Sequence, residues 1–409
     1  MIRHQVYFDT LGSLKEDSPS WRSVFAGLSV LRLIDSYADS GSSIDPAGWA
    51  HLHNVRTAIE GVSEGDPVRG CLTAVLEQVT SRGGVDEAVC AALLAYGRSL
   101  DYEASWGLAT DVFVGVAKMT RPEQNPALAI EAYVAAGGAA RRNGEWDVSA
   151  RAYSQAAYLA DTIRDHAGVL TVQVGIANTY LAKGNLPQAQ TILDDVIIQA
   201  RDNNLSEVQG MALHSRAALA QRRGENAEGI KLAHDALALT RRPTERDGVL
   251  EDIAAMFSEI GLRDAARDTH LVVAATAQTR MFRATATINL MELASIDEMP
   301  EVFDAYAREL ASTPLSPWLR AHYLLFLGEG MYRLGRSETA QESLQEAISF
   351  ADANQIHQVS FKAQSALAKV RSTPRAPTTF TPAPAWVPEE VNSVVRAMAE
   401  LRKTAAAAS

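Results

Sequence analysis

Residues 177–189 read A-N-T-Y-L-A-K-G-N-L-P-Q-A, from Ala177 through Tyr180 and Gly184 to Ala189. A small residue seven before the glycine and another five after it bracket a turn. Two antiparallel helices approach closely only where side chains at the crossing are short, so this spacing predicts a helical hairpin. The glycine can end the first helix in a left-handed conformation that other residues adopt with difficulty. The same pattern recurs at Gly144, Gly224, Gly261 and Gly335. Seven residues before these glycines stand Gly137, Ala217, Ala254 and Gly328, and five after them Ser149, Gly229, Ala266 and Ala340. The glycines are spaced by 40, 40, 37 and 74 residues, the last interval holding two repeats, one without a glycine. That repeat spans about Arg280 to Ser312 and turns at Ile296–Met299 before Pro300.

Outward from these hairpins, apolar residues recur at three- and four-residue steps, as in Leu324, Leu327 and Met331. Ser18-Pro19, Asp45-Pro46, Asp66-Pro67 and Ser316-Pro317 each put a capping side chain before a proline, a helix-start signal. The expected fold class is therefore all-α, an α-solenoid of stacked antiparallel helical hairpins, curved or superhelical. Its organisation is expected to run from an N-terminal segment (1–18) through degenerate helical repeats (19–126) to a regular array (127–371). A Pro/Thr/Ala-rich linker (372–388) then leads to a short amphipathic helix and tail (389–409), whose stripe is Val391, Val394, Val395, Met398 and Leu401.

With Ala177, Tyr180, Gly184 and Ala189 in place, the chain resembles the tetratricopeptide repeat superfamily as a divergent member with longer repeats. Ala140 and Ala220 stand where that pattern has an aromatic residue, and Arg216 occupies a usually apolar position. The resemblance implies that the first helix of each hairpin lines a groove holding an extended peptide or a helix. By its register the groove candidates are Arg142, Asn178, His214, Arg222, Glu251, Glu259, His322, Glu329 and Arg333. Asn178 matches the family's ligand-bonding asparagine, whose amide can donate to and accept from one peptide group. Basic Arg142 and Arg222 give way to acidic Glu251, Asp252 and Glu259, a division that would orient a charged partner.

The 409 residues carry 38 basic and 49 acidic side chains, a formal net charge of −11, which disfavours nonspecific binding to phosphate backbones. Gly61-Val62-Ser63-Glu64-Gly65 matches a nucleophile elbow, but no strand precedes it, as that motif requires. His51 and His53 point in different directions on a helix, so no metal site is expected, and no cofactor motif is present. Cys71 and Cys90 lack metal-ligand spacing and read as reduced, buried thiols. The expected function is a non-enzymatic scaffold or adaptor that binds a protein or peptide segment; the alternative is a peptide- or ligand-responsive regulator of the bacterial repeat type. Partners are expected to be proteins, with no nucleic acid and no membrane insertion, and with self-association through the C-terminal helix. A cytoplasmic location is the expectation, since no signal peptide or apolar span is visible.

Overall fold

The computed structural model describes residues 3–40, 46–82, 84–120, 124–354, 356–373 and 386–408, among which every regular element is an α-helix. The chain forms two compact units, Met1–Ala189 and Gln190–Ser409. The first contains α1 (Gln5–Ser13), α2 (Pro19–Ser40), α3 (Pro46–Glu60), α4 (Pro67–Arg82), α5 (Glu87–Tyr102) and α6 (Trp106–Met119). It continues through α7 (Pro126–Arg142), α8 (Trp146–Thr162) and α9 (His166–Ala182) into the start of α10 (Leu186–Asp202). The second unit holds the rest of α10, then α11 (Ser206–Arg222), α12 (Asn226–Leu239), α13 (Pro243–Glu259), α14 (Arg263–Thr276) and α15 (Arg280–Ile296). It ends with α16 (Pro300–Ser312), α17 (Pro317–Arg333), α18 (Ser337–Ala353), α19 (His357–Ser372) and α20 (Glu389–Ala408).

The five turn glycines all have positive φ, between 75° and 81°. At Gly144 the Glu145 amide donates to the Ala140 carbonyl at 2.8 Å and the Gly144 amide to that of Arg141 at 3.2 Å. This paired bond closes the helix end, and Gly184, Gly224, Gly261 and Gly335 repeat it. The repeat without a glycine turns where the sequence placed it, between α15 and α16, with Glu298 taking the left-handed conformation at φ 55°. All ten small crossing residues are buried. Within each unit, consecutive helices pack on one another as stacked hairpins, as in α7 on α8 and α17 on α18.

The predicted caps form at three sites. Ser18, Asp66 and Ser316 accept from the amides of Trp21, Val68 and Leu319 at 3.2, 3.0 and 3.4 Å, while Asp45 lies outside the described residues. Cys90 is buried, whereas Cys71 is only half-buried. Arg216, at its normally apolar position, is 8% exposed and donates from Nε to Asp194 of α10 at 3.1 Å and from Nη2 to Glu228 of α12 at 3.2 Å, while its buried Nη1 has no partner among the described residues. Ser63 lies exposed in the turn between α3 and α4. No helix among the described residues is long and apolar enough to cross a membrane.

The core of the first unit is built on Tyr7, Ile34, Leu72, Tyr96 and Phe113, and the Tyr7 and Tyr96 hydroxyls bond at 3.0 Å. The second unit is centred on Ile230, Phe257, Phe303 and Leu324. Of the proline-rich segment, residues 374–385 lie outside the described residues. Beyond it, α20 packs on α12 and α14, burying Val391, Val394 and Met398, with Arg402 paired to Asp268. It thus covers second helices in the middle of the unit, neither capping the last hairpin nor lying along the first helices.

Candidate functional site

The first helices of the hairpins are joined to one another by side chains one repeat apart. In the second unit His214 of α11 meets Asp252 of α13, Nε2 to Oδ2 at 2.7 Å, and Gln221 donates to Glu259 at 2.8 Å. One hairpin further, Asn289 of α15 donates to Glu251 at 3.1 Å, and Arg333 of α17 donates to Ser295 at 3.1 Å and Glu292 at 3.2 Å. Of these residues the sequence register selected His214, Glu251, Glu259 and Arg333, but their polar groups are turned to the neighbouring first helices. Glu251, expected to face a ligand, is 7% exposed because its other oxygen is bonded by His270 Nδ1 at 3.1 Å from beneath. Glu329 lies 3.6 Å from Arg333, His322 donates to the Trp318 carbonyl at 2.9 Å and lies against that indole with the rings tilted by 37°, and Arg222 is exposed at the end of α11.

The electrostatics follow from these partners. Burial lowers the His214 pKa, but the Asp252 hydrogen bond and charge outweigh it and hold the imidazole above its usual 6.5. A raised folded-state value means that the pair stabilises the fold fully below about pH 6.5 and that this contribution fades as pH rises through the folded value. In an NMR titration, His214 should therefore titrate above 6.5, and Asp252→Asn should bring its midpoint below the wild-type one; an unchanged midpoint would discard the pairing. His322 behaves oppositely, since burial holds it below 6.5.

In the first unit the arrangement differs. Arg142 of α7 donates to both Asp101 oxygens, 2.6 Å from Oδ2, and Arg98 of α5 pairs with Glu131. Beside them Gly138 of α7 leaves the helix surface bare, whereas the side-chain space at Gly175 of α9 is filled by the ring of Tyr153 from α8. A Cβ on Gly175 would stand 2.7 Å from the Tyr153 hydroxyl, and one on Gly138 would stand 3.9 Å from it and 3.7 Å from the Arg142 guanidinium. Burial pushes the Tyr153 hydroxyl up in pKa, with Arg141 and Arg142 only partly offsetting it. Asn178, one turn beyond Gly175, is half-buried, and its amide has no partner among the described residues. Arg141 Nε and Gln173 Oε1 are buried and likewise unpartnered.

Sequence reasoning missed Tyr153, which belongs to a second helix, and the acidic partners Asp101 and Glu292, and it read Asp252 as a groove charge rather than as the partner of His214. A usable signal existed for the second unit: His214 and Asp252, Gln221 and Glu259, and Glu251 and Asn289 are complementary residues 38 apart. Among the described residues no group of three or more His, Cys, Asp or Glu side chains is placed to hold a metal ion.

No protein-family model and no curated protein matches this sequence. The fold is similar to that of NprR in complex with its cognate peptide NprX, with a TM-score of 0.48 and 13% identity over 79% of this chain and 99% of that one. It is also similar to a Rap protein complexed with competence and sporulation factor, with a TM-score of 0.37 and 12% identity over 86% of this chain and 98% of that one.

Proposed function

We propose that this protein is a non-enzymatic binding protein that holds an extended peptide or protein segment on the first-helix face of its first unit. The observation that carries this reading is Asn178: a half-buried amide without an internal partner among the described residues, one turn beyond Gly175, against which the Tyr153 ring is packed. Such an amide can bond both polar groups of one peptide unit, and Gly138 leaves room for a ligand backbone to come close. The laddered charges of the second unit favour stiffness there, because each is already matched across a helix pair. Protein is the favoured partner over nucleic acid, given the net charge of −11. Self-association through α20 would require that helix to leave α12 and α14.

Selection of peptides from a random display library on the full chain tests the reading. Asn178→Ala should weaken the selected peptides about tenfold, equivalent to about 1.4 kcal/mol, with the melting temperature unchanged. Peptides that bind the variant as tightly as the wild type would remove Asn178, and with it this site, from the reading.

A further inference from the structure

A cleft of ≈ 890 Å³ opens in the first unit between α1, α2, α6, α7 and α8, away from the Asn178 face. Its size lies in the range of small-molecule sites, about 300–1,000 Å³. The walls are largely apolar, with Val6, Leu31, Ile34, Val112, Val114 and Met119 among them. On α6, Gly115 leaves the helix bare: a Cβ there would meet only the Met119 methyl, at 3.9 Å. The cleft is therefore space that the sequence leaves open rather than a gap between badly matched side chains.

The charges along the cleft fall into two groups. At one end His4 is held between two carboxylates, Nδ1 at 2.5 Å from Asp111 and Nε2 at 3.2 Å from Asp35, and Arg3 lies 3.4 Å from Asp35. With His4 protonated these four side chains cancel, and they tie α1 to α2 and α6. Elsewhere on the lining stand Lys118, Arg151 and Glu145, of which Glu145 accepts from Asn143. Lys118 and Arg151 are exposed and have no ion-pair partner among the described residues, and the polar groups of Tyr133 and Gln155 have no hydrogen-bond partner there. With histidine counted as neutral, as in the chain's net charge of −11, the lining is balanced, three cations against three carboxylates, and protonation of His4 makes it positive by one, with Lys118 and Arg151 the cations left unmatched. An apolar trough with unmatched cations and neutral hydrogen-bonding groups complements a molecule with an apolar body and a negative end.

We infer that this cleft binds a small amphipathic carboxylate, its acyl or aryl body lying over Gly115 and its carboxylate met by Arg151 and Lys118. The site is separate from the Asn178 surface, so the two readings stand or fall independently.

The test uses the full chain and dansylaminoundecanoic acid, whose fluorescence rises on transfer to an apolar site. Saturable binding at a single site is expected, with displacement by dodecanoate at about one-tenth of the dodecanol concentration, the margin expected from a charge-assisted contact. Arg151→Glu, a change at an exposed position, should remove the preference for dodecanoate over dodecanol. Gly115→Leu should abolish binding of both while the melting temperature stays level or rises, because leucine is the better helix former. Three results would each overturn the inference: no saturable binding, equal displacement by dodecanol and dodecanoate, or binding that survives Gly115→Leu in a folded variant. Should Gly115→Leu fail to fold, the Arg151→Glu comparison alone decides, an unchanged preference overturning the inference.

Discussion

Tyr153→Ala is expected to destabilise the protein by about 3–5 kcal/mol, the cost of emptying a buried aromatic site. The ring is 4% exposed and lies between α7 and α9 at the two points where those helices have no side chain. A Cβ on Gly137 would stand 2.7 Å from it, and one on Gly175 2.3 Å. Because glycine cannot reach into the space, collapse around the cavity would need movement of backbone, which places the cost high in that range. Tyr153→Phe keeps the ring and removes only the hydroxyl, which forms no hydrogen bond among the described residues, so it should cost about 1 kcal/mol or less. Urea unfolding of the two variants separates these terms. A cost below about 1 kcal/mol for the alanine variant would mean that α7 and α9 close over the gap, contrary to the packing described.

The second large effect concerns α20. Val391, Val394 and Met398 are 1–2% exposed on α12 and α14, and full burial of each such side chain contributes about 1.5–3 kcal/mol. An isolated helix of this length is marginal in water, so docking and helicity are lost together. Met398→Asp would put an unpaired charge into that contact, and residues 389–402 should lose hydrogen-exchange protection. The loss of stability cannot exceed the docking free energy of α20, so Met398→Asp and truncation after Thr373, which keeps the bond from the Tyr332 hydroxyl to the Thr373 carbonyl, should give the same lowered unfolding midpoint. Protection retained in Met398→Asp would show that the stripe does not hold the helix.

Much of the fold is legible because one physical requirement, left-handed backbone at a helix end, selects glycine at five turns. The turns that lead from one hairpin to the next are less visible. Arg164 and Asn204 adopt the same conformation there, at φ 57° and 58°, without glycine to mark them. Crossing residues are legible since steric approach restricts them to Gly, Ala and Ser. Asn178 and Arg142 were located by register, yet the bond from Arg142 to Asp101 was hidden because α5 and α6 turn at Ala104 rather than at a glycine. The amphipathic stripe of α20 foretold docking but not where, since an apolar stripe specifies only an apolar counterpart. The cleft depends on contacts such as His4 with Asp111, 107 residues apart, which no local pattern encodes.

The bonds between successive first helices have a genetic consequence. Each junction of the second unit uses its own donor and acceptor: His214 with Asp252 and Gln221 with Glu259 at one, Asn289 with Glu251 at the next, Arg333 with Ser295 and Glu292 at the third. The modules are alike in backbone but are not interchangeable. Removing one would bring together faces whose polar groups were matched to other neighbours, leaving an acceptor opposite an acceptor or a cation opposite nothing. The order of the hairpins is therefore written into the protein as firmly as their number, and loss or duplication of a whole module is a heavier mutation than its regular spacing suggests.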